Sequence, residues 1–526
     1  MRRFLLSIFV LLAMTLLVVA GCSSDSNDES DDNEENNVTE SEATSGDDRT
    51  LTIAIPTDMT SQDIHDHNNT LTESIHSNMY NYLFKKDDNG EIEPELVDTY
   101  ENIDDLTWEF TLHEGVKFHN GDDLTAEDVK FTLERVGNDD TLREHFHYNQ
   151  IEEVEVIDDY HFKIKTYEPE PILLNRLSRI GSGILPKDYI EEHDWDHFYQ
   201  NPIGSGPFKF VEWNRDSEIV FEVFEDYYEG KVEDWDELVF RVIPEDSTRV
   251  AELLTGGVDI ALNVPDHEWD RIDENDGTSV ESTTSQRVTM LLLRHDEGYP
   301  TSDPRVREAI DLAINNEALT EHVLGGAAVP VRSRVTPGNT GANEELYDTF
   351  LYDPDRAKEL LEEAGYGDGL EITIHGPNGR YTKDRDIQEM IAGMLSEVGI
   401  TVNTDLMEWS NFVELRSAHA YDDAYFIAYG NSQFDASLAL DNMRSERAME
   451  LQAYKNEEFD ELLAEAEVNM DLDERVEQYK RAQEIVAEDR PYIYLYAEMV
   501  NYGVSESIDF VPRADEMLFA KDIIKK

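Results

Sequence analysis

The stretch from residue 97 to residue 136 constrains the fold more than any other part of this 526-residue chain. Phe110 and Leu112 alternate with polar residues, which is the period of a half-buried strand. Two glycine-containing turns follow. Thr125 then precedes a helical apolar pattern, and Asp128 stands three residues later, where it can complete a capping box. The segment therefore predicts a strand, a turn and a capped helix.

The same segment carries a family resemblance. From Trp108 to Arg135 it reads WxFxLxxGVKFHxGxxLTAxDVxFxxxR, which closely resembles the signature of the oligopeptide, dipeptide and nickel family of ABC-importer substrate-binding proteins. His113 stands where that family usually has Arg. The resemblance implies a receptor that binds a solute, and not an enzyme.

Two later segments resemble the same family, and the resemblance extends from Leu51 to Ile523. Residues 201–210 read NPIGSGPFKF, with Ser205 in place of the usual Thr, and residues 303–314 read DPRVREAIDLAI. In the first segment the prolines exclude a helix and the glycines allow positive φ, so we expect a tight turn. The resemblance implies an α/β, two-lobed, periplasmic-binding-protein-like fold of type II, cluster C, with an extra subdomain in the first lobe.

Chain length agrees with more than one lobe, because about 475 ordered residues exceed what one hydrophobic core usually supports. The second lobe shows helices and strands in alternation, which predicts an α/β layer arrangement. The predicted domains are a signal peptide at 1–21, an acidic disordered tether at 22–49, a first lobe at 50–285 with a subdomain inserted at about 90–200, a second lobe at 286–495, and a return to the first lobe at 496–526.

The N-terminus predicts export and lipid anchoring. Arg2 and Arg3 precede an apolar run that is short for a membrane span and typical of a signal peptide. The run ends Val-Ala-Gly-Cys22, which resembles the lipobox of bacterial lipoproteins, whose Cys is acylated and becomes the new N-terminus. Cys22 is the single cysteine of the chain, so no intrachain disulfide can form. We expect a protein held by lipid on the extracellular or periplasmic face of the cell membrane.

The chain is strongly acidic, with 43 Lys and Arg against 117 Asp and Glu, a formal charge of −74. Such a field excludes nucleic acid as a partner. It suits work in concentrated salt, where a Debye length of about 3 Å at 1 M screens self-repulsion. We therefore hypothesise a salt-adapted bacterial host, against the alternative of an ordinary acidic extracellular protein.

Catalytic and cofactor motifs are absent from the sequence: it contains no GxSxG, HExxH, P-loop or GxGxxG pattern. No cofactor is expected. Paired histidines could supply imidazoles to a metal, and one branch of the resembled family binds nickel complexes. These pairs are His65 with His67, His145 with His147, and His193 with His197. The last pair has the i, i+4 spacing of one helix face, but no third ligand is evident nearby, so we expect structural histidines and no metal site.

The resemblance implies a cleft that closes around a short peptide. An α-carboxylate needs a fixed cation, ideally Arg in a partly desolvated site. Arg380 lies in a Gly- and Pro-rich loop at the corresponding place, with a surface arginine as the equal alternative. Asp435 resembles the ammonium-binding aspartate of the family, although the residues around it depart from the usual sequence motif. Trp409 could form an aromatic wall or pack at a strand end.

Further candidates come from an early loop and from two later segments. Thr70 and Leu71 offer groups near the expected mouth of the cleft, and Tyr381 follows Arg380. Arg287 is the candidate second cation, for which a structural ion pair is the more ordinary role. Together these segments resemble the glutathione-binding branch most closely, and glutathione would need two carboxylate sites and one ammonium site.

The sequence therefore predicts a monomeric, lipid-anchored binding protein that delivers a short peptide, with glutathione as one candidate, to the permease subunits of an ABC importer. A nickel-chelate receptor of the same family is the nearest alternative. A secreted hydrolase or sensor built on the same fold is the alternative from another class.

Overall fold

The computed structural model describes residues 49–87, 90–346 and 351–526. The predicted signal peptide, Cys22 and nearly all of the predicted tether lie outside the described residues. In the part of the chain that is described, no helix is both long and apolar enough to cross a membrane.

The strands of the described residues are β1 Thr50–Ile55, β2 Phe84–Lys86, β3 Ile92–Pro94, β4 Val97–Asp104, β5 Thr107–Leu112, β6 Ile151–Val156, β7 His161–Thr166, β8 Phe208–Asn214, β9 Glu218–Val223, β10 Glu237–Val242, β11 Ile260–Leu262, β12 Thr278–Leu293, β13 Ala328–Pro330, β14 Leu370–Pro377, β15 Ile400–Met407, β16 Ala424–Tyr429, β17 Tyr492–Ser505, β18 Ile508–Asp509 and β19 Ile524–Lys525.

The α-helices of the same residues are α1 Thr70–His76, α2 Ala126–Asn138, α3 Leu173–Arg176, α4 Lys187–His193, α5 Trp195–Gln200, α6 Asp246–Leu254, α7 Trp269–Asp273, α8 Pro304–Ala313, α9 Asn316–Ala318, α10 Pro354–Glu363, α11 Asp384–Glu397, α12 Trp409–Ser417, α13 Ala436–Asp441, α14 Ser445–Leu451, α15 Glu457–Val468 and α16 Leu472–Asp489.

A large mixed sheet runs through the molecule in the order β15-β14-β16-β12-β17-β11-β1-β10-β9-β8, and β13 pairs with β17 at its side. A separate antiparallel sheet has the order β4-β5-β7-β6. The strand and helix predicted between residues 97 and 136 are confirmed as β5 and α2. The Asp128 carboxylate accepts a hydrogen bond of 2.9 Å from the Thr125 backbone N–H, as a capping box requires.

Separate apolar cores divide the chain into lobes. One core combines residues between 51 and 262 with residues between 500 and 523. Another gathers residues between 83 and 184, and two more draw on residues between 288 and 497. The fold is the predicted two-lobed α/β fold, while the residue numbers predicted for the domain boundaries remain predictions.

The long strands β12 and β17 connect the lobes. They pair antiparallel from Thr278 opposite Ser505 to Leu292 opposite Tyr492. β17 contributes residues to the cores of both lobes, and β12 contributes residues to the cores of the second lobe. Their register shifts in the middle, where residues 285–287 of β12 lie opposite a single residue of β17. Such a bulge bends the ladder and turns side chains away from it.

The structure requires glycine at positions 204 and 206, but for a reason other than the positive φ that the sequence suggested. Neither is among the glycines with positive φ in the described residues. A Cβ on Gly204 would lie 2.1 Å from the Met79 carbonyl oxygen, and one on Gly206 would lie 2.6 Å from the Met79 carbonyl carbon. The segment therefore needs glycine because two backbones approach closely, and not because the turn requires a left-handed residue.

The helix start predicted at Asp303 is confirmed, because its carboxylate accepts from the Arg305 N–H and Pro304 is the first helical residue. The single helix face predicted for His193 and His197 is wrong. Asp194 between them has φ of 75°, which ends α4, and its carboxylate accepts from the His197 N–H to begin α5.

Candidate ligand-binding cleft

Two cavities meet at the bulge in the β12–β17 pair, where these two strands pass from one lobe to the other. The first has a volume of about 380 Å³ and the second about 700 Å³. Arg287 and Glu516 line both cavities. The joined space therefore contacts β12, the C-terminal loop, the first lobe and the second lobe at once, and its size suits a small-molecule or short-peptide ligand.

Buried cations line the first cavity. Lys86 donates a hydrogen bond of 2.9 Å to the Ser178 hydroxyl, and burial lowers its pKa to about 8. Arg179 is buried and pairs with Glu144 at 3.1 Å. Because Lys86 has a neutral hydrogen-bond partner, its charge can still be used by an anionic ligand group.

Asn431 lines the same cavity and is held in one orientation. Its amide nitrogen donates to the Asn339 side-chain oxygen at 2.6 Å and to the Asp435 carbonyl at 3.0 Å. The Asn339 amide is itself fixed by Gln286 and Thr336. The Asn431 Oδ1 is buried and has no hydrogen-bond partner in the described residues. A buried acceptor without a partner is costly, so this oxygen is available to a ligand N–H.

Glu516 extends from the C-terminal loop to the place where the cavities join. Arg513 anchors this loop by donating to the Lys86 carbonyl at 2.9 Å and by pairing with Asp515 at 2.7 Å. Glu516 has a left-handed φ of 64°, which is unfavourable for a residue with a Cβ. Across the described residues, no hydrogen bond or ion pair to its carboxylate is found, and burial raises its pKa.

Arg287 lies in the bulge and acts electrostatically on two carboxylates, those of Glu498 and Glu516. Its Nε is 3.7 Å from Glu498 Oε2, and Glu498 Oε1 accepts from the Thr289 hydroxyl at 3.1 Å. Burial raises the pKa of Glu498 to about 7, and the Arg287 charge opposes that rise. Arg287 thus forms the expected ion pair and also lines the cleft.

Arg380 is presented to the second cavity by a tightly built loop. The buried Asp384 carboxylate accepts from the backbone N–H groups of Gly379, Arg380 and Tyr381 at 2.8 to 3.1 Å. The guanidinium lies 5.0 Å from the Trp409 ring centre, a cation–π distance. Arg380 is exposed, so it is available to a carboxylate that enters the cavity.

Asp435 does not fit the ammonium role expected for it. Its oxygens accept from Arg475 at 2.7 and 2.8 Å, and the two side chains are 1% and 3% exposed. The same carboxylate caps α13 through the Ser437 N–H. Asp435 lines neither cavity, and the buried arginine and the helix end already occupy both of its oxygens.

The remaining candidates are divided between cavity and core. Thr70 lines the first cavity and Tyr381 the second. Leu71 packs against the core of the first lobe and lines neither cavity. Trp409 also lines neither cavity and packs against the second-lobe core, with Arg380 over its ring. It acts on the cleft through that arginine.

The histidine pairs have separate surroundings. His65 bonds to the Gly181 carbonyl and to Arg135, and His145 bonds to the Val136 carbonyl. The rings of His193 and His197 stack at 4.7 Å beside Tyr189. His67 lies beside His76, and His147 bonds to Gln433 at the wall of the first cavity. Within the described ranges, no group of three or more His, Cys, Asp or Glu is arranged to hold a metal ion.

Sequence reasoning missed Lys86, Asn431, Glu498 and Glu516. A local signal existed for Asn431, since it lies two residues after the strand that ends at Tyr429, whereas Asp435 precedes a short helix and reads as its cap. Glu516 and Glu498 gave no such signal in a chain with 117 acidic residues.

The molecule has two lobes, which the paired strands β12 and β17 connect, and a charged cleft between them. This arrangement defines the class of two-lobed periplasmic binding proteins. Residues 91–450 match the family model described as bacterial extracellular solute-binding proteins, family 5 Middle. The chain belongs to this family of solute-binding proteins.

Similar proteins agree with that assignment. The chain is 27% identical over 469 residues to the glutathione-binding protein GsiB of Salmonella paratyphi A, a match that covers 87% of this chain and 91% of that one. HbpA2 from Haemophilus parasuis matches with a TM-score of 0.82 and 22% identity over 91% of this chain and 100% of that chain. DppA from Helicobacter pylori, solved in complex with the peptide STSA, matches with a TM-score of 0.72 and 25% identity over 90% of this chain and 98% of that chain.

Proposed function

We propose that this protein is the lipid-anchored receptor of an ABC importer, and that it captures a short peptide and delivers it to the permease. Glutathione is the first candidate, because GsiB carries that name and resembles this chain over most of its length. The observation that carries the proposal is the cleft itself, where an exposed arginine, a buried lysine and a carboxylate with no ion pair among the described residues surround one space.

The charges suit a peptide with ionised ends. In this proposal Arg380 binds a carboxylate in the second cavity, held over Trp409 and next to Tyr381. Arg287 or Lys86 binds a second carboxylate, which glutathione has and most short peptides lack. Thr70 offers a hydroxyl from the wall of the first cavity. No cofactor is needed, and a monomer suffices.

The experiment that tests this arrangement compares free and C-terminally amidated peptide by calorimetry. In this proposal the bound peptide covers the exposed Arg380 and excludes water from its pair with the carboxylate. Removing one partner of such a pair typically costs about 2 to 5 kcal/mol, so Arg380→Ala should weaken peptide binding by roughly 30-fold or more. Amidation should weaken binding to wild type far more than binding to Arg380→Ala. The matched control is Arg385→Ala, an exposed arginine on α11 that pairs with Glu389 and lines neither cavity.

Equal losses on amidation in wild type and Arg380→Ala would mean that another cation reads the carboxylate, with Arg287 the next to test. If metal analysis of purified protein found stoichiometric nickel, the nickel-chelate alternative would replace the peptide. Turnover of a bound peptide would favour the hydrolase alternative.

The lipid anchor rests on the sequence around Cys22. Wild type should partition into detergent with membranes, whereas Cys22→Ser should remain an uncleaved precursor or be released. Identical processing and partitioning of both proteins would refute the anchor.

A salt-adapted host is part of the proposal, supported by the charge of −74. The melting temperature should rise between about 0.1 M and 2 M NaCl, as the Debye length shrinks from about 10 Å to below 3 Å. A flat response would remove this part.

A further inference from the structure

The centre of the cleft contains hydrogen-bond acceptors that nothing in the described protein satisfies. Glu516 lines both cavities without a hydrogen bond or ion pair to its carboxylate in the described residues. Asn431 Oδ1 is buried at the first cavity and also lacks a partner there. These two observations are independent, because the residues belong to different lobes and are held by different contacts. Both oxygen groups are acceptors that an N–H donor of a ligand can satisfy.

The backbone of Glu516 gives a third reason. A non-glycine residue with φ of 64° is held in a sparsely populated conformation, and such residues occur where the surrounding structure imposes them, often at ligand sites. Arg513 imposes it here by tying the loop to β2 and to Asp515. The result is a carboxylate placed inside the cleft that the core does not use.

We propose that Glu516, together with Asn431 Oδ1, recognises a primary ammonium group of the ligand. The inference rests on the proposed function and narrows its substrate class to ligands with a free amine. The ammonium then lies where the two cavities join, and the carboxylate that Arg380 holds lies in the second cavity. Arg287 fits this arrangement, because it offsets part of the negative charge of Glu516 and Glu498 when the cleft is empty.

The neighbouring acidic groups are less suited to this role. Asp515 is paired with Arg513 at 2.7 Å, and Glu73 accepts from the Ile180 N–H at 3.1 Å. Glu498 accepts from Thr289 and faces Arg287. Of the carboxylates that line the first cavity, Glu516 is therefore the one that has no hydrogen bond or ion pair within the described residues to give up on binding.

The experiment measures discrimination between free and N-acetylated ligands by calorimetry, with two probe pairs: glutathione and its N-acetylated form, and trialanine and its N-acetylated form. Wild type should prefer the free amine of the pair that it binds by roughly 30-fold or more. Glu516→Gln should reduce that preference to about 3-fold or less. Glu506→Gln, an exposed acid beyond the end of β17 with the same change in net charge, should keep the full preference.

A second variant guards against misfolding. Glu516→Gly also removes the carboxylate and suits the left-handed backbone, so it should melt at or above the wild-type temperature while losing the preference. If wild type binds a probe but does not prefer the free amine, or if both variants keep the preference, the ammonium assignment is overturned and the receptor function stands. If wild type binds neither probe pair, the proposed function fails, and this inference falls with it.

Discussion

Asp435 and Arg475 form a bidentate ion pair inside the second lobe, with N–O distances of 2.7 and 2.8 Å and almost no exposure of either side chain. Removing one member of such a pair leaves an uncompensated buried charge, which typically costs about 3 to 5 kcal/mol. We therefore expect Asp435→Ala to lower the free energy of unfolding by about this amount in urea titrations.

The double variant Asp435→Ala with Arg475→Met should recover most of that loss, because it removes both charges. Glu389→Ala, which breaks the exposed pair with Arg385, should leave the unfolding free energy nearly unchanged. If Asp435→Ala were as stable as wild type and lost only ligand binding, the ammonium role would return to Asp435.

The close contact at Gly204 predicts a steric effect on stability. A Cβ there would lie 2.1 Å from the Met79 carbonyl oxygen, so the backbone must move, and we expect Gly204→Ala to destabilise the protein by about 1 to 3 kcal/mol or more. Gly393 on α11 is the matched control, since a Cβ there would meet nothing within 4 Å. Gly393→Ala should raise the melting temperature through helix propensity. Equal effects of the two substitutions would contradict the close-packing explanation.

His119 predicts acid sensitivity of the first lobe. Its Nε2 bonds to the Gly206 carbonyl at 2.9 Å and its Nδ1 accepts from the Gly204 N–H at 3.2 Å, so the neutral ring is satisfied on both sides. Burial lowers its pKa to about 4, whereas the unfolded chain takes up the proton near 6.5. Its contribution to stability is therefore complete above about pH 6.5 and is lost as the pH falls toward 4.

The unfolding free energy of wild type should fall between pH 7 and pH 5. In His119→Gln that fall should be smaller, by up to about 2 kcal/mol, in urea titrations. The control is His113→Gln, a change at a partly exposed position just after β5, which should follow the wild-type pH dependence. A His119 variant with the wild-type pH dependence would exclude this histidine as the titrating group.

Glu498 predicts a pH dependence of binding. Its pKa in the unliganded protein is raised to about 7, mainly by burial, while Arg287 and Arg380 oppose the shift and Glu516 adds to it. A cationic ligand group at the β12–β17 bulge favours the ionised carboxylate of Glu498. The affinity for the ligand is therefore highest above pH 7 and falls as the pH drops below 7. Calorimetry from pH 8 to pH 6 should show weakening in wild type and a flatter profile in Glu498→Gln. Parallel profiles would remove Glu498 from the binding electrostatics.

Local signals in the sequence were sufficient for much of the fold. The capping box at Thr125 and the Asp303–Pro304 helix start depend on residues a few positions apart, and both are confirmed. The family resemblance supplied the two-lobed architecture. His193 and His197 were placed on one helix because spacing alone does not reveal that Asp194 adopts a positive φ.

The candidate site was less accessible to sequence reasoning, because its groups come from distant parts of the chain. Arg380 was found from its loop, and Arg287 lies in a bulge that only the pairing of β12 with β17 defines. Glu516 and Lys86 become candidates only when burial and missing or neutral partners are known. Asp435 was chosen from a motif that also fits a helix cap, and its buried partner Arg475 lies on α16.

Calorimetric titration of purified wild-type protein with glutathione and with trialanine tests the central claim most directly. We predict saturable one-to-one binding of at least one of them, accompanied by retention of a peptide-like ligand in native mass spectra of gently purified protein. Absence of binding for both, extended to other short peptides and with no peptide retained, would contradict the assignment of this cleft to peptide capture.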